Sequence, residues 1–595
     1  MNIAHKRNDK LIRRKFYSYL IPGIIMVIAL QFGSLADGII VGNLLGPDAL
    51  SATSLVLPII YLSQLPGIML AVGSSIVIAN LLGKRNIEGA SKVFKAAMMF
   101  AFLISLIFVP IGIFASDALA ALICGDGFVD LVPFVAAYMK AYLIQAPIIG
   151  IGLVFGYCLT SDNHPGLSAA FFIIANVAHL GSLLAFCFLA PEDLRMLLAG
   201  FSVGIGMAIG FIILIPYLRS KKRCLQYCKG LKGIGEYIKP VLKSGATQGS
   251  MFILLAIYAL VLNIAATSFL EDSATLATFA MMQNFAFLID LFVSGILQIM
   301  PSLLGALFGE KDYFSVKKLA KLVFILAISV AAILTVVSEI YPDMFFYIFN
   351  VSMDAGKAID PRNIIRIYCI SFVLYTINKY IATYYPTIMV NAPGVVAMVI
   401  RNGVVGLPAL YFLMMAMSSL GYCLGTIISE AAALVLSIVF VLVMKKLGKY
   451  QGKGLLLVPD VKETESVEFS FPCVSESVGE FAEELQGYAV KMSGDEIMAT
   501  QLTVAAEEII ANVMAYGVKR KTKSNYIDVC LAKIEDKLVV RIRDDGVAFD
   551  PTSSEIPSDE LSFSGIELVK KLSSDFHYVR MLNTNNTIIE VALKA

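Results

Sequence analysis

Tryptophan is absent from this chain and histidine occurs four times, so membrane-interface anchoring falls to its 25 tyrosines and near-neutral titration to very few side chains. Charge is scarce as well: Asp, Glu, Lys and Arg make up 15% of the residues against 58% hydrophobic ones, and the mean hydropathy is +0.78. That balance excludes an ordinary soluble globular protein. No Gly-x-x-x-x-Gly-Lys-Ser/Thr run occurs, which argues against a P-loop motor. The nine cysteines stand singly except for Cys224 and Cys228, and no second Cys or His pair completes a metal site, so those two read as plain thiols and a disulfide framework is not expected. A net charge of +2 with only short basic loops implies no nucleic-acid partner.

What the chain does have is long apolar runs as far as Lys445-Lys446, followed by a charged stretch of soluble character. The runs have the length of a bilayer crossing and lack the alternation of barrel strands. Spans are predicted near 16–43, 50–82, 92–116, 130–158, 166–190 and 194–218, then 238–268, 273–308, 316–340, 361–390, 394–416 and 418–445. The first has no cleavage site behind it and reads as an uncleaved helix. Pro22, Pro58, Pro66, Pro147, Pro301, Pro386 and Pro408 fall inside these spans, where a missing N–H bends a helix.

Cations sort to one side. Arg13-Arg14-Lys15, Lys84-Arg85, Arg219 to Arg223 and Lys445-Lys446 share a face, while Asp117, Asp126, Glu192, Asp193, Glu271, Asp272 and Asp354 lie opposite. By the positive-inside rule the basic face is cytoplasmic, which places both ends of the chain in the cytosol and the protein in the cell membrane.

Leu65-Pro66-Gly67 through Gly83-Lys84-Arg85 recurs loosely as Phe292-Val293-Ser294-Gly295 through Gly309-Glu310-Lys311. A six-helix repeat of this parallel kind builds two lobes around a central site. The run from Leu35-Ala36-Asp37-Gly38 through Gly42-Asn43-Leu44-Leu45-Gly46-Pro47 to Leu50-Ser51-Ala52, with Gly73-Ser74-Ser75 and Leu82-Gly83-Lys84 after it, resembles the first two helices of the multidrug and toxic compound extrusion (MATE) transporters. The resemblance covers about 15–445. It implies a proton- or sodium-coupled antiporter of amphipathic, often cationic, organic compounds.

Asp37 is a mid-helix carboxylate, costly in lipid and able to exchange a proton when desolvated. The resemblance implies that it couples transport to a cation in the N-lobe cavity. The family often carries an Asp one turn after an Asn in the fifth helix; here Asn176 is retained, Leu180 stands at the Asp position, and His179 beside it can substitute or serve packing. Asp290 and Glu430 are C-lobe candidates for cation coupling, with Lys379 and Arg401 as available ion-pair partners. Gln31, Gln145, Gln248 and Gln283 either line the cavity or bridge helices.

Past the 451–464 linker the pattern changes to strand-like runs at 526–531, 538–543 and 587–593, with amphipathic helices near 475–491, 495–516 and 564–574, which reads as an α+β sandwich. Three motifs follow in order. Glu508 and Asn512 lie one turn apart on a helix face, Asp544-Asp545-Gly546 ends a strand, and Ser564-Gly565 opens a helix. Their order resembles the gyrase, Hsp90, histidine-kinase and MutL nucleotide-binding superfamily, closest to the anti-sigma-factor serine kinases. That resemblance implies ATP and Mg²⁺, with Asn512 as the metal ligand, Glu508 as catalytic base, Asp544 on the adenine amino group, and Gly546 and Gly565 giving room for nucleotide. Ala548 and Phe563 stand where the superfamily usually has Gly. No phospho-acceptor His lies in a dimerising hairpin, so an ordinary histidine kinase is not expected.

The expected architecture is an all-α membrane protein of about twelve helices in two six-helix lobes, 1–225 and 226–450, plus an α+β ATPase-like domain at 465–595. The expected function is cation-coupled export of a small organic substrate by a protein whose other partner is membrane lipid, with the ATPase-like domain binding nucleotide, phosphorylating a regulatory protein partner, or gating transport. A receptor that controls a serine kinase and a flippase for lipid-linked precursors are the alternatives.

Overall fold

Apolar periodicity and the absence of hydrogen-bonding solvent in lipid leave this sequence one regular option before residue 446, and a computed structural model shows it taken: every described element there is helical. The structure describes the chain except residues 1–8, 126–128, 221, 222, 224, 227–233, 270–281, 283–285, 288, 345–360, 453, 460–465, 474, 475, 518–525, 535, 553–563, 583 and 593–595. Cys224, Cys228, Gln283, Phe563 and the loop charges Asp126, Glu271, Asp272 and Asp354 lie outside the described residues.

The N-lobe contains α1 (Lys10–Leu44), α2 (Pro47–Gly83), α3 (Ile87–Ser105), α4 (Phe108–Phe114), α5 (Ser116–Cys124), α6 (Val132–Ile144), α7 (Ala146–Ser161), α8 (Pro165–Leu189), α9 (Glu192–Ile212) and α10 (Ile215–Arg219). The C-lobe contains α11 (Ile234–Phe269), α12 (Ile289–Gly309), α13 (Tyr313–Ile340), α14 (Pro361–Thr387), α15 (Ala392–Val399) and α16 (Gly406–Lys446). Among the described residues ten helices are long and apolar enough to cross a membrane, and the pair α6 and α7, bent by 51° just ahead of Pro147, makes eleven. The two spans expected at 394–416 and 418–445 lie in one 55-residue stretch, Ala392–Lys446. At about 1.5 Å per residue that is roughly 80 Å of helix for an apolar layer of about 30 Å. It is interrupted at Ser418, whose φ of 55° and ψ of −130° are not helical.

The repeat is visible in backbone detail. Arg85 (φ 62°) and Lys311 (φ 60°) occupy the same left-handed position after Gly83 and Gly309, and Asn163 (φ 65°) and Met389 (φ 64°) recur at the same offset in the numbering. Lys84 and Glu310 amides each bond back to the carbonyl four residues earlier, at 3.0 Å. Gly83 and Gly309 pack against each other's helices so closely that a Cβ on either would strike backbone of the other. The two equivalent turns therefore meet back to back, and glycine is required at both.

Cα packing divides the chain into two compact units, Tyr19–Lys311 with Ala320–Gln451, and Met1–Ser18 with Asp312–Leu319 and Gly452–Ala595. The second unit holds β1 (Ser466–Pro472), α17 (Glu476–Ser493), α18 (Glu496–Asn512), β2 (Tyr526–Ile534), β3 (Lys537–Asp544), α19 (Ser564–Leu572), β4 (Asp575–Met581) and β5 (Thr584–Ala592). The strands form an antiparallel sheet in the order β1-β2-β3-β5-β4. Its apolar residues, among them Phe469, Phe471, Val529, Leu531, Val540 and Ile589, form one core with Phe481, Leu485, Leu502 and Ile510 of α17 and α18. In the same unit Asp312 is buried, with Arg543 at 2.9 Å and Arg541 at 3.4 Å, and Arg14 pairs with Asp545 at 2.8 Å.

Candidate functional site

Helix α1 brings Asp37 to the wall of a cavity of about 820 Å³ that both lobes line. The volume is that of a drug-sized site. Asp37 Oδ2 accepts a hydrogen bond from Tyr138 of α6 at 3.0 Å, and its Oδ1 lies 3.4 Å from His179 Nε2 of α8. Both Oδ1 and Nε2 are buried without a hydrogen-bond partner. Asn176, one turn before His179, sits against Gly33 of α1, where a Cβ would collide with the Asn176 side chain. That close approach of α8 to α1 is what carries His179 to Asp37. Asn176 Nδ2 itself is spent on the Phe172 carbonyl at 2.9 Å. Leu180 leaves the carboxylate position vacant of charge, and the residue before it faces Asp37 instead.

From the C-lobe, Asp290 of α12 also borders the cavity and is saturated. Oδ1 accepts from Lys379 and Tyr375 of α14 and from Ser294 at 3.0 Å, and Oδ2 accepts from Gln31 of α1 at 3.0 Å. Glu430 of α16 is 1% exposed; it pairs with Arg401 and accepts from Asn378 Nδ2 at 2.7 Å. Arg401 lies over the Tyr375 ring, 4.5 Å from its centroid, so the two ion pairs join through one aromatic side chain. Asp37, Asn176, His179, Asp290 and Glu430 thus all border one cavity, as do Gln31 and Gln248. Gln145 does not: it bridges the α6–α7 break to α9, donating to the Gly200 carbonyl and accepting from the Gly204 amide at 2.6 Å. Tyr138, Tyr375 and Asn378 are partners that the sequence did not single out, because a neutral hydroxyl or amide in a span carries no charge to draw notice as Lys379 does.

In the C-terminal unit, register decides the site. Asp544 at the end of β3 faces Asn585 on β5, and its Oδ1 accepts from the Gly546 amide at 2.8 Å and from Asn585 Nδ2 at 2.9 Å. Burial pushes this carboxyl up to about 6, against the opposing effect of those two donors. Phe549, Pro551, Asn512 and Thr587 close around it, leaving only about 10 Å³, room for one water at most. Glu508 and Asn512 lie together on α18, with Asn512 Nδ2 donating to Glu508 Oε1 at 3.2 Å. A Cβ at Gly565 would fall on the Glu508 carboxylate, so glycine there admits that carboxylate. The donor set fits an adenine and a metal-bound phosphate: a buried acceptor, an amide oxygen, an adjacent carboxylate and a glycine at a helix start. The shape requires Phe549 and Pro551 to move aside before a nucleotide enters. Asn585 and Thr587, two residues apart, share one face of β5, a strand that the sequence reading placed without assigning it a role.

Comparisons with known proteins agree with both halves. A family profile described as MatE matches residues 22–183 and 249–412, and one described as a histidine kinase-like ATPase domain matches 471–592. The probable multidrug resistance protein YoeA of Bacillus subtilis is 26% identical over 286 residues, covering 47% of this chain and 60% of that protein. The multidrug export protein MepA of Staphylococcus saprophyticus is 25% identical over 230 residues, 38% of this chain and 49% of that protein. The alignments therefore span less than two thirds of either relative's length. A MOP superfamily transporter from Pyrococcus furiosus superposes with a TM-score of 0.63 at 18% identity, over 73% of this chain and 97% of that one. An outward-facing multidrug resistance MATE family transporter does so with 0.63 at 19%, over 74% and 97%. With the profile matched in both lobes over more than half of its length, and with the same fold, this chain is an integral membrane protein that belongs to the MatE family and carries a histidine kinase-like ATPase domain at its C-terminal end.

Proposed function

We propose that the membrane unit is a proton-coupled exporter of amphipathic organic monocations and that Asp37 carries the coupling proton. The observation that carries this is the contrast between the two aspartates on the cavity wall. Among the described residues Asp290 receives four donors, one of them an ammonium; Asp37 receives one, and its second oxygen stands beside an equally unsatisfied imidazole nitrogen. A carboxylate with one free oxygen in a low-dielectric wall takes up a proton when no substrate cation is near, and releases it to one. His179 stabilises either state by offering or accepting a proton at Nε2. Apolar and aromatic side chains around the cavity, such as Tyr61, Phe252 and Phe372, suit an amphipathic cation, and relatives named for multidrug resistance and export support the reading.

The C-terminal domain acts as a nucleotide-sensing regulator on the cytosolic side, with both chain ends facing the cytosol. Asp544 would hold adenine, and Asn512 with Glu508 the Mg²⁺ and phosphates; ATP when bound supplies a charged phosphate chain and a transferable phosphoryl group. The pairing of Arg541 and Arg543 with Asp312 and of Arg14 with Asp545 supports a link from this sheet to the starts of α13 and α1. Uptake of tetraphenylphosphonium into everted vesicles tests the export reading. Uptake driven by an imposed pH gradient and indifferent to sodium is expected, and uptake that follows a sodium gradient alone would refute proton coupling.

A further inference from the structure

Among the described residues, the charged groups lining the cavity are three carboxylates, Asp37, Asp290 and Glu430, two permanent cations, Lys379 and Arg401, and the imidazole of His179. Their pairing divides the wall into a side that carries a net charge and a side that does not. Lys379 neutralises Asp290 and Arg401 neutralises Glu430, each by direct contact, whereas Asp37 has only tyrosine hydroxyl and imidazole beside it. With neutral His179 the cavity thus holds one uncompensated negative charge, all of it on the N-lobe wall. Buried ion pairs are a poor source of stability, because desolvation offsets most of their attraction. Two such pairs on a substrate cavity therefore call for a role besides holding the fold. Of the two, the Asp290–Lys379 pair is the accessible one: its carboxylate side chain is 21% exposed and that of Glu430 is 2% exposed.

The geometry assigns Lys379 as the residue that sets the charge of the ligand the cavity accepts: its ammonium occupies the Asp290 carboxylate as a tethered counter-ion and restricts the site to ligands with one positive centre. This assignment rests on the export reading above and deepens it. A dication entering the wild-type cavity finds one carboxylate for two positive centres, and its second centre meets a wall already occupied by Lys379. Removing the ammonium while keeping Asp290 exposes a second anionic anchor, held by Tyr375, Ser294 and Gln31. At an effective dielectric of about 20, one added charge about 10 Å from a ligand cation shifts binding roughly tenfold.

The test uses the purified full chain in lipid nanodiscs and two probes of matched apolar character, tetraphenylphosphonium and a dication made of two triphenylphosphonium groups joined by a short alkyl linker. Wild type is expected to prefer the monocation. Lys379→Met is expected to raise the dication-to-monocation affinity ratio about tenfold or more, and Asp290→Asn, which leaves Lys379 uncompensated, to weaken both probes and the dication further. The double variant Asp290→Asn with Lys379→Met restores the wall's neutrality and is expected to return the ratio to the wild-type value. A ratio that stays at the wild-type value in either folded single variant overturns the assignment, as does a double variant that keeps the ratio of Lys379→Met. A wild type that binds neither probe refutes the export reading and this assignment with it, a result distinct from an unchanged ratio.

Discussion

Replacing Asp544 by asparagine should stabilise the C-terminal domain while removing the nucleotide binding proposed for it. The carboxyl lies in the core, 3% exposed, and burial raises it from an ordinary 3.8 to about 6. Each pH unit of such a difference is worth about 1.4 kcal/mol, so ionised Asp544 costs the fold about 3 kcal/mol at neutral pH. The sign follows from proton binding. Between roughly pH 4 and pH 6 the folded domain holds a proton that the unfolded chain has lost, so stability from this group is full below about 4 and declines as pH rises through 6. Asparagine keeps an oxygen to accept from the Gly546 amide and Asn585 and has no charge to desolvate. The variant should gain about 1 kcal/mol at pH 4.5 and up to about 3 kcal/mol at pH 7.5. Cys473, 6% exposed with its thiol pushed up to about 11 by burial, offers a readout confined to this domain. In a background where it is the only thiol, its labelling rate against temperature reports opening of this fold alone. Equal stability of wild type and variant at pH 7.5, or a gain that does not depend on pH, would refute the reasoning. A gain in stability joined to lost ATP binding is the signature of a residue kept for function.

Arg401→Met should destabilise the membrane unit by about 3–5 kcal/mol, since it leaves Glu430 buried and unpaired, and Arg401→Met with Glu430→Met should recover most of that in a thermal-shift assay of detergent-solubilised protein. Gly565→Ala places a Cβ on the Glu508 carboxylate; a loss of about 1–3 kcal/mol and at least tenfold weaker ATP binding are expected, and unchanged ATP affinity in equilibrium dialysis would contradict the packing described. His179→Gln keeps a polar group at 8% exposure beside Asp37, so tetraphenylphosphonium export by reconstituted protein should fall without being abolished, in contrast to a variant of Asp37.

The division between membrane and soluble parts was legible because lipid permits so few backbone solutions that length and apolarity alone identify the spans. The last apolar run divides at 417 in the sequence reading and breaks at the neighbouring Ser418 in the structure, although no proline or glycine stands at that residue. The repeat could be read from Gly83 and Gly309. Asn163-His164-Pro165-Gly166 and Asn391-Ala392-Pro393-Gly394 carried the same message at the heads of α8 and α15 and passed unnoticed. In the C-terminal domain β1 was missed although Val467, Phe469 and Phe471 alternate, and β4 was missed because Phe576, Tyr578, Val579 and Met581 do not keep a strict alternation. Asp37, His179 and Asp290 were legible as costly polar groups in lipid. What separates Asp37 from Asp290 was not, because Tyr138 lies 101 residues from the first and Lys379 lies 89 from the second, and only folding brings donor to acceptor.

The proposed coupling requires Asp37 to be the carboxylate that moves the proton. Wild type and Asp37→Asn, reconstituted into liposomes at clamped membrane potential with an imposed pH gradient, would be followed with a phosphonium electrode and an internal pH dye at once. The account predicts that substrate movement and counter-flow of protons rise together in wild type and vanish together in the variant, which still binds tetraphenylphosphonium measurably. Proton-coupled transport that persists at the wild-type rate in Asp37→Asn would contradict it.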